Sequence, residues 1–197
     1  MSRSTSAYHH GSLKPALEDA ALQLLRTTGH PELSLREVAR VAGVSHSAPY
    51  HHFGDRTALL KRLSERSMAE LLDSLVAAQA QASADDSPRA RLVAIGFAYV
   101  QYASEFPERF RIIYDPAVCV PGSPTAEMAP LISAVEEILT LATRATSPTA
   151  SPATLTALTT GIWGTMHGLA ELVVAGDIAR DDAEPALRAL FDPSVTE

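Results

Sequence analysis

The stretch Leu33-Ser34-Leu35-Arg36-Glu37-Val38-Ala39-Arg40-Val41-Ala42-Gly43-Val44-Ser45-His46-Ser47-Ala48-Pro49-Tyr50-His51-His52-Phe53 decides how this chain is read. Ser34 to Glu37 form a capping box: the Ser34 hydroxyl caps a helix and the Glu37 carboxylate reaches back from three residues on. Leu33 and Val38 stand at the spacing of a hydrophobic staple around that cap. The helix has room for roughly two turns before Ala42-Gly43, and Ser45 is placed to cap the next one. Ala39 lies four residues before Gly43, so two short helices cross closely while glycine takes the conformation that the turn requires. The spacing therefore predicts a helix-turn-helix over 34–41 and 45–52. Its second helix carries Ser45, His46, Ser47, Tyr50, His51 and His52, rich in hydrogen-bonding groups and poor in apolar ones, a surface suited to a major groove rather than to burial. Pro49 deletes a backbone donor near the fourth helical position, where a first turn can tighten to accommodate it.

Helical periodicity continues outward from this element in both directions. The 13 prolines fall mostly between periodic segments or in first turns, and no long alternating run argues for a strand. Upstream, Ser12 is placed to cap a first helix that runs to about Thr28 with Leu13, Leu17, Ala20, Ala21, Leu24 and Leu25 on one face. Gly29 then suits a left-handed terminus. Downstream, Asp55 caps a fourth helix from Arg56 to roughly Gln81, passing through Leu59, Leu60, Leu63, Leu71, Leu72 and Leu75. Residues 82–88 read as a loop, followed by a helix to about Ser104 and a short one over 106–114. Residues 115–130 hold four prolines and Gly122, so an irregular and mobile segment is expected there. Helices over 129–145, 152–175 and 182–191 complete an all-α fold of about nine helices.

The 197 residues suffice for one generous domain or two small ones, and 46% apolar with 20% charged residues excludes a disordered, collagen-like or disulfide-scaffold protein. A net charge of −7 at first argues against a nucleic-acid partner. Residues 1–66, however, carry nine basic and six acidic side chains, net +3, together with six of the seven histidines. Residues 67–197 carry seven basic and seventeen acidic ones, net −10. The charge thus divides the chain into a basic first third and an acidic remainder. Cys119 is the only cysteine, so no intramolecular disulfide forms. Among Val118, Val120 and prolines it reads as inert filler, with a redox sensor as the alternative. The first ten residues lack a signal-like apolar run, and 161–176 is too short for a bilayer and carries His167 and Glu171. A soluble, cytoplasmic protein with no membrane partner is expected.

Tyr8-His9-His10-Gly11-Ser12-Leu13, Leu33 to Ala39, Ala42-Gly43-Val44-Ser45, and Ala48-Pro49-Tyr50-His51-His52-Phe53 followed by Asp55-Arg56-Thr57-Ala58-Leu59-Leu60 resemble, in order and spacing, the TetR family of transcriptional regulators. The resemblance covers roughly residues 8–66. Trp163, His167 and Gly168 are similar to the Trp-x-x-x-His-Gly element of a subgroup with a "WHG" effector domain. The resemblance implies a homodimer that binds double-stranded DNA at a palindromic operator and is released by a small-molecule effector. It divides the chain into a three-helix DNA-binding domain over 8–66 and an effector-binding and dimerisation bundle over 67–197, joined by the fourth helix acting as a lever. By the same resemblance Ser34 and Arg36 touch phosphates, Ser45, His46, Ser47 and Ala48 read bases, and Tyr50 and His51 contact backbone or bases. Arg56 replaces a lysine often found there and still donates to phosphate, while Gly54 departs from a longer polar residue and removes one contact. Small residues along 152–175, namely Thr159, Thr160, Gly161, Gly164, Thr165, Gly168 and Ala170, permit close packing with the symmetry mate as a four-helix bundle.

Phe97, Phe106, Phe110, Trp163, Met166 and His167 are the candidate effector-binding residues, although aromatic side chains at helical spacing equally fill a core. His167 and Glu171 stand one turn apart, as a metal or acid/base pair would, but no third ligand or nucleophile accompanies them. A buried, hydrogen-bonded histidine near the pocket or dimer interface is the preferred reading. His9-His10 and His51-His52 are adjacent pairs whose side chains diverge, with no cysteine or carboxylate to complete a ligand set. No catalytic residue, metal or cofactor is expected. The alternatives are a small α-helical enzyme or metal-binding protein using His167, Glu171 and Asp177, and a helix-turn-helix adaptor that binds protein.

Overall fold

Apolar side chains recurring every three or four residues pull successive helices onto shared cores, and caps fix where those helices begin. The computed structural model describes residues 13–83 and 85–191. Over these the chain is helical without strands: α1 (Leu13–Glu32), α2 (Leu35–Ala42), α3 (Ala48–Phe53), α4 (Arg56–Gln81), α5 (Pro88–Glu105), α6 (Pro107–Tyr114), α7 (Met128–Thr146), α8 (Pro152–Ala175) and α9 (Arg180–Phe191). Tyr8 to Gly11, and Ser12 as the expected first cap, lie outside the described residues. Four helix starts are closed by side chains. Ser34 Oγ accepts the Glu37 N–H at 3.2 Å, Asp55 Oδ1 that of Ala58 at 2.8 Å, Ser87 Oγ that of Ala90 at 3.0 Å, and Ser151 Oγ that of Thr154 at 3.2 Å. Each satisfies a donor that a helix start leaves open.

Three local expectations change. The Glu37 carboxylate turns forward to Arg40 Nε at 2.8 Å, so the capping box is realised through Ser34. Ser45 does not cap α3. The Ala48 N–H bonds the Ser45 carbonyl at 3.0 Å, closing a tight turn, and α3 starts at Ala48 without a side-chain cap. Pro49 is the reason: in a helix capped at Ser45 the first i to i−4 bond comes from residue 49, which has no N–H. At Gly29, φ is 70° but ψ is 169°, so an extended, positive-φ kink interrupts α1 one turn before its end, rather than a left-handed terminus.

Two apolar cores result. Leu17, Ala21, Leu25, Val38, Leu59 and Leu63 anchor the first, beneath α1 to α3. Leu71, Leu75, Tyr99, Phe110, Met166 and Leu187 anchor the second, among α4 to α9. Helix α4 serves both, and the change from one core to the other falls between Leu63 and Met68. The first core also takes in Ile112 of α6 and Val118 beyond it, each buried, so the two cores share walls. At about 1.5–3 kcal/mol per fully buried large apolar side chain, these two residues tie the halves together substantially. At the centre of the second core α5 meets α8 and α9 at Gly96. A Cβ there would stand 3.3 Å from both Leu187 methyl groups, so any larger residue would push Leu187 back by a few tenths of an ångström. Helix α8 behaves differently from the rest. Of its 24 residues only Leu155, Met166 and Ala170 are buried, and Ala170, expected on the open small-residue stripe, faces the core instead. Among the described residues no helix is long and apolar enough to cross a membrane.

Candidate functional site

The exposed side of α2, the turn and α3 carries most of the residues singled out from the sequence. Arg36, Ser45, His46, Ser47 and His51 are exposed, Tyr50 is 47% exposed, and Ala48 and Ser34 are half-buried. Ser45 Oγ and Ser47 Oγ lie 3.2 Å apart within the turn. Gly43, at φ 68° and ψ 31°, ends α2, and its neighbour Val44 donates its N–H to the Ala39 carbonyl at 3.0 Å. Gly54 sits at φ 76° and ψ −61°, returning its N–H to the Tyr50 carbonyl at 2.9 Å. That backbone conformation strains any L side chain, which accounts for glycine where a polar residue was expected. Arg56 is drawn inward. Its Nε donates to the Leu33 carbonyl at 2.8 Å and its Nη2 to the Pro31 carbonyl at 3.1 Å, pinning the α1–α2 connection onto the start of α4.

A ribbon of charge links this surface to the rest of the molecule. Glu18 of α1, only 4% exposed, accepts from Arg62 Nε at 2.8 Å and stands 3.6 Å from Arg66. Hydrogen bonding to Glu18 chiefly raises the Arg62 pKa, against the pull of burial. Arg62 also lies 3.7 Å from Glu65, and Glu65 accepts the Thr125 hydroxyl at 2.6 Å. Thr125 in turn receives the Met128 N–H at 3.1 Å and so seats the start of α7. Arg66 continues to Asp19 at 2.6 Å and Glu70 at 3.3 Å, and Glu70 to Arg109 of α6 at 2.6 Å. None of these carboxylates stood out in the sequence. A lone Glu at a helical position looks like a solvated face until α1 and residues 123–128 fold over it.

Past Thr125 lies a cavity of about 650 Å³. Met68 of α4, Ile113 and Tyr114 of α6, residues 119–122 with Pro124, α7 from Met128 to Thr140, and α8 from Leu155 to Trp163 supply its walls, mostly apolar. The 115–130 segment is irregular as expected, and turns hold it against the cavity: the Cys119 N–H bonds Asp115 O at 2.8 Å and the Ser123 N–H bonds Val120 O at 3.0 Å. Cys119 Sγ lies 3.0 Å from Ser64 Oγ on α4.

Of the six residues singled out for an effector, Trp163 lines this cavity. His167 stands one turn behind it, its Nδ1 2.9 Å from the Tyr99 hydroxyl, which donates to the Tyr114 hydroxyl at 2.7 Å. Burial lowers the His167 pKa below the ordinary imidazole value, opposed by Glu171, whose Oε1 is 3.8 Å from Nε2. Burial raises both tyrosines above the usual phenol range. His167 is thus a hydrogen-bonded histidine behind the wall, and the described residues hold no group of three or more His, Cys, Asp or Glu that could bind a metal. Phe110 and Met166 are fully buried in the second core. Phe97 and Phe106 line a separate, open groove between α4 and α5, where Arg109 lies over the Phe106 ring at 4.6 Å. The sequence missed Tyr114, Thr156, Thr159 and Glu136 as wall residues. No spacing rule marks a wall assembled from five distant segments.

The outer side of α8 forms a third surface. Gly161, Gly164 and Gly168 are exposed with open space around them, and Leu158 and Leu172 are 39% and 42% exposed. On α9, Leu190 is 62% exposed.

Residues 17–63 match the family profile described as bacterial regulatory proteins, tetR family, and residues 92–196 match that described as tetracyclin repressor-like, C-terminal domain. Over 92 residues, 47% of this chain and 45% of its relative, the sequence is 33% identical to the HTH-type transcriptional regulator BetI of Rhizobium meliloti (strain 1021). The chain therefore spans about half the length of the curated relatives it matches. Among solved structures, a Rhodococcus sp. RHA1 protein described as having unknown function superimposes at a TM-score of 0.79, with 31% identity over 94% of this chain and 96% of that one. The regulator FadR from Bacillus subtilis, solved in complex with stearoyl-CoA, shares the fold at a TM-score of 0.68 and 12% identity, over 91% of this chain and 98% of that one.

Proposed function

The chain belongs to the tetR family of bacterial regulatory proteins, and from that premise we propose that it is a cytoplasmic, ligand-responsive repressor that binds a palindromic operator as a homodimer. The observation that carries this reading is the pairing of an exposed, hydrogen-bonding α2–α3 surface with a largely apolar cavity along one continuous helix, α4. Arg36 and Ser34 contact phosphate, Ser45, His46, Ser47 and Ala48 face base edges, and Tyr50 and His51 contact backbone or bases. Arg56 acts chiefly by fixing the reading head, through its bonds to Leu33 and Pro31. One α3 reads only a few base pairs, so a second copy about one helical turn away doubles the readout. The open face of α8, with α9 beside it, supplies the contact: glycines allow close approach, and apolar side chains left exposed in one chain are buried in two.

The reading head occupies residues up to 66 and the effector-binding and dimerisation bundle begins at 67, where α4 passes between the cores. Trp163, His167 and Gly168 form the Trp-x-x-x-His-Gly element of the WHG subgroup, with the indole on the cavity wall and the imidazole bracing it through Tyr99 and Tyr114. An effector in the cavity displaces Pro124 and Met128. The motion reaches α1 through Thr125, Glu65, Arg62 and Glu18, changing the angle between α1 and α4 and hence the spacing of the two recognition helices. The test is binding of the full-length protein to its own promoter region, against random DNA of equal length, across a range of salt. Specific affinity with a steep salt dependence is expected, and affinity no greater than for random DNA at every salt concentration would sink the reading.

A further inference from the structure

The charge on the cavity wall is one-sided. None of the lining residues is lysine, arginine or histidine. Glu136, exposed on α7, offers a carboxylate that only accepts, and among the described residues no ion pair is made to it. Across from it on α8, the Thr156 hydroxyl donates to the Pro152 carbonyl at 3.1 Å and the Thr160 hydroxyl to the Thr156 carbonyl at 2.9 Å. Each has spent its one hydrogen on its own helix and keeps only lone pairs. The Tyr114 oxygen accepts from Tyr99 and keeps its own hydrogen, a neutral donor only. Between them the Thr159 hydroxyl oxygen is buried without a partner, an arrangement that folded proteins rarely leave unfilled. An anion entering this cavity meets the Glu136 carboxylate, and no cation on the wall offsets its loss of water. A ligand that brings its own N–H or O–H meets acceptors it satisfies.

Resting on the reading of this cavity as the effector site, we infer that the effector is a largely apolar molecule with a hydrogen-bond-donating head, a hydroxyl or protonated amine, and no anionic group. Its body lies against Met68, Ile113, Val135 and Leu139, and its head between Glu136 and the threonines of α8.

Three probes with one body isolate the head: decylamine, decanol and decanoate, each kept below its micellar concentration. Trp163 and Cys119 are the chain's single tryptophan and single cysteine, and both line the cavity. Indole emission and the rate at which the thiol reacts with a maleimide therefore report occupancy in the unaltered protein. Decylamine and decanol are expected to shift the emission and slow the labelling, with decanoate weaker than decylamine by about tenfold or more. Glu136→Gln is expected to weaken decylamine by about tenfold while leaving decanol unchanged. Decanoate binding as tightly as decylamine, or decylamine indifferent to Glu136→Gln, overturns the donor-head inference and leaves the cavity as the effector site. If no probe moves either reporter, the cavity does not receive an effector, and both readings fall.

Discussion

The reading head and the cavity are built from contacts of opposite range. Between Ser34 and Asp55 the decisive bonds join residues three apart: Ser34 to Glu37, Ser45 to Ala48, Asp55 to Ala58. The cavity wall joins Met68, Tyr114, Cys119, Val135 and Trp163, which meet only after five segments have packed. A surface set by local bonds keeps its shape when the rest of the molecule shifts, as reading DNA requires. A pocket set by long-range packing deforms when filled, as sensing requires. The contrast holds function only if something joins the two regions, and α4 with its ribbon of charge is the join.

The severest test of that join is to damage one region and watch the other. Phe110 is fully buried, edge-on to Tyr99 with ring centroids 5.6 Å apart. Phe110→Ala is expected to cost about 3–5 kcal/mol, read by urea unfolding. Because Ile112 and Val118 reach into the first core and α4 runs through both, unfolding should remain one transition seen equally by far-ultraviolet dichroism and Trp163 emission. Two transitions, with the helices of the head outlasting the cavity, would show that the regions are independent domains.

Next in size come substitutions that separate reading from sensing. Arg36→Ala and Tyr50→Ala should weaken binding to every DNA sequence, Arg36→Ala also lowering the salt slope by about 1. Changes at His46 or Ser47 should instead alter base preference at one operator position by about 1–3 kcal/mol, measured on a panel of single-base operator variants. None should change probe binding in the cavity. Equal loss on all operators from His46→Ala would remove it from the base-reading set. Arg56→Ala differs from these: by freeing the Leu33 and Pro31 carbonyls it should lower thermal stability as well as DNA affinity.

What the sequence disclosed follows the same division by range. The caps at Ser34 and Asp55 and the extent of α4 and α8 follow from side-chain chemistry acting over one turn. Even the misplaced start of α3 was latent in Pro49, whose missing N–H removes the first bond of a helix capped at Ser45. The exposed position of Arg36, Tyr50 and His51 likewise follows from the helical period. The cavity did not follow. An aromatic residue at helical spacing faces inward whether it meets a void, as Trp163 does, or a packed neighbour, as Phe110 and Met166 do, and only the placement of distant helices decides. Glu65 and Thr125 were invisible for the same reason, sixty residues apart in the chain and 2.6 Å apart in space.

That contact gives a smaller and sharper test of the join. Thr125→Val removes the hydroxyl shared between Glu65 and the start of α7, at about 1 kcal/mol of stability. DNA affinity should be unchanged, while the concentration of decylamine needed to release the operator rises. Combined with Arg62→Met, the effects on release should depart from additivity by more than about 0.5 kcal/mol, because both lie on one chain of contacts from α7 to Glu18. Strict additivity would mean that the signal crosses elsewhere, through Ile112 and Val118.

The smallest expected effect is a pH dependence confined to the sensing side. His167 sits behind the cavity wall with its pKa lowered by burial, the nearby Glu171 opposing. Besides Glu171 on its own helix, it faces Tyr99 of α5 and Tyr114 of α6, whose phenols burial keeps neutral. A histidine lowered in the fold takes up its proton more readily when unfolded, so its stabilising contribution is whole above the free imidazole range, about pH 6.5, and is lost as pH falls below it. Partial exposure keeps this small, at most about 2 °C in the unfolding midpoint between pH 7.5 and 5.5. His167→Gln should remove that component. An unchanged profile in His167→Gln would mean that the imidazole titrates as it does in the unfolded chain, and that burial behind the wall does not favour the neutral ring.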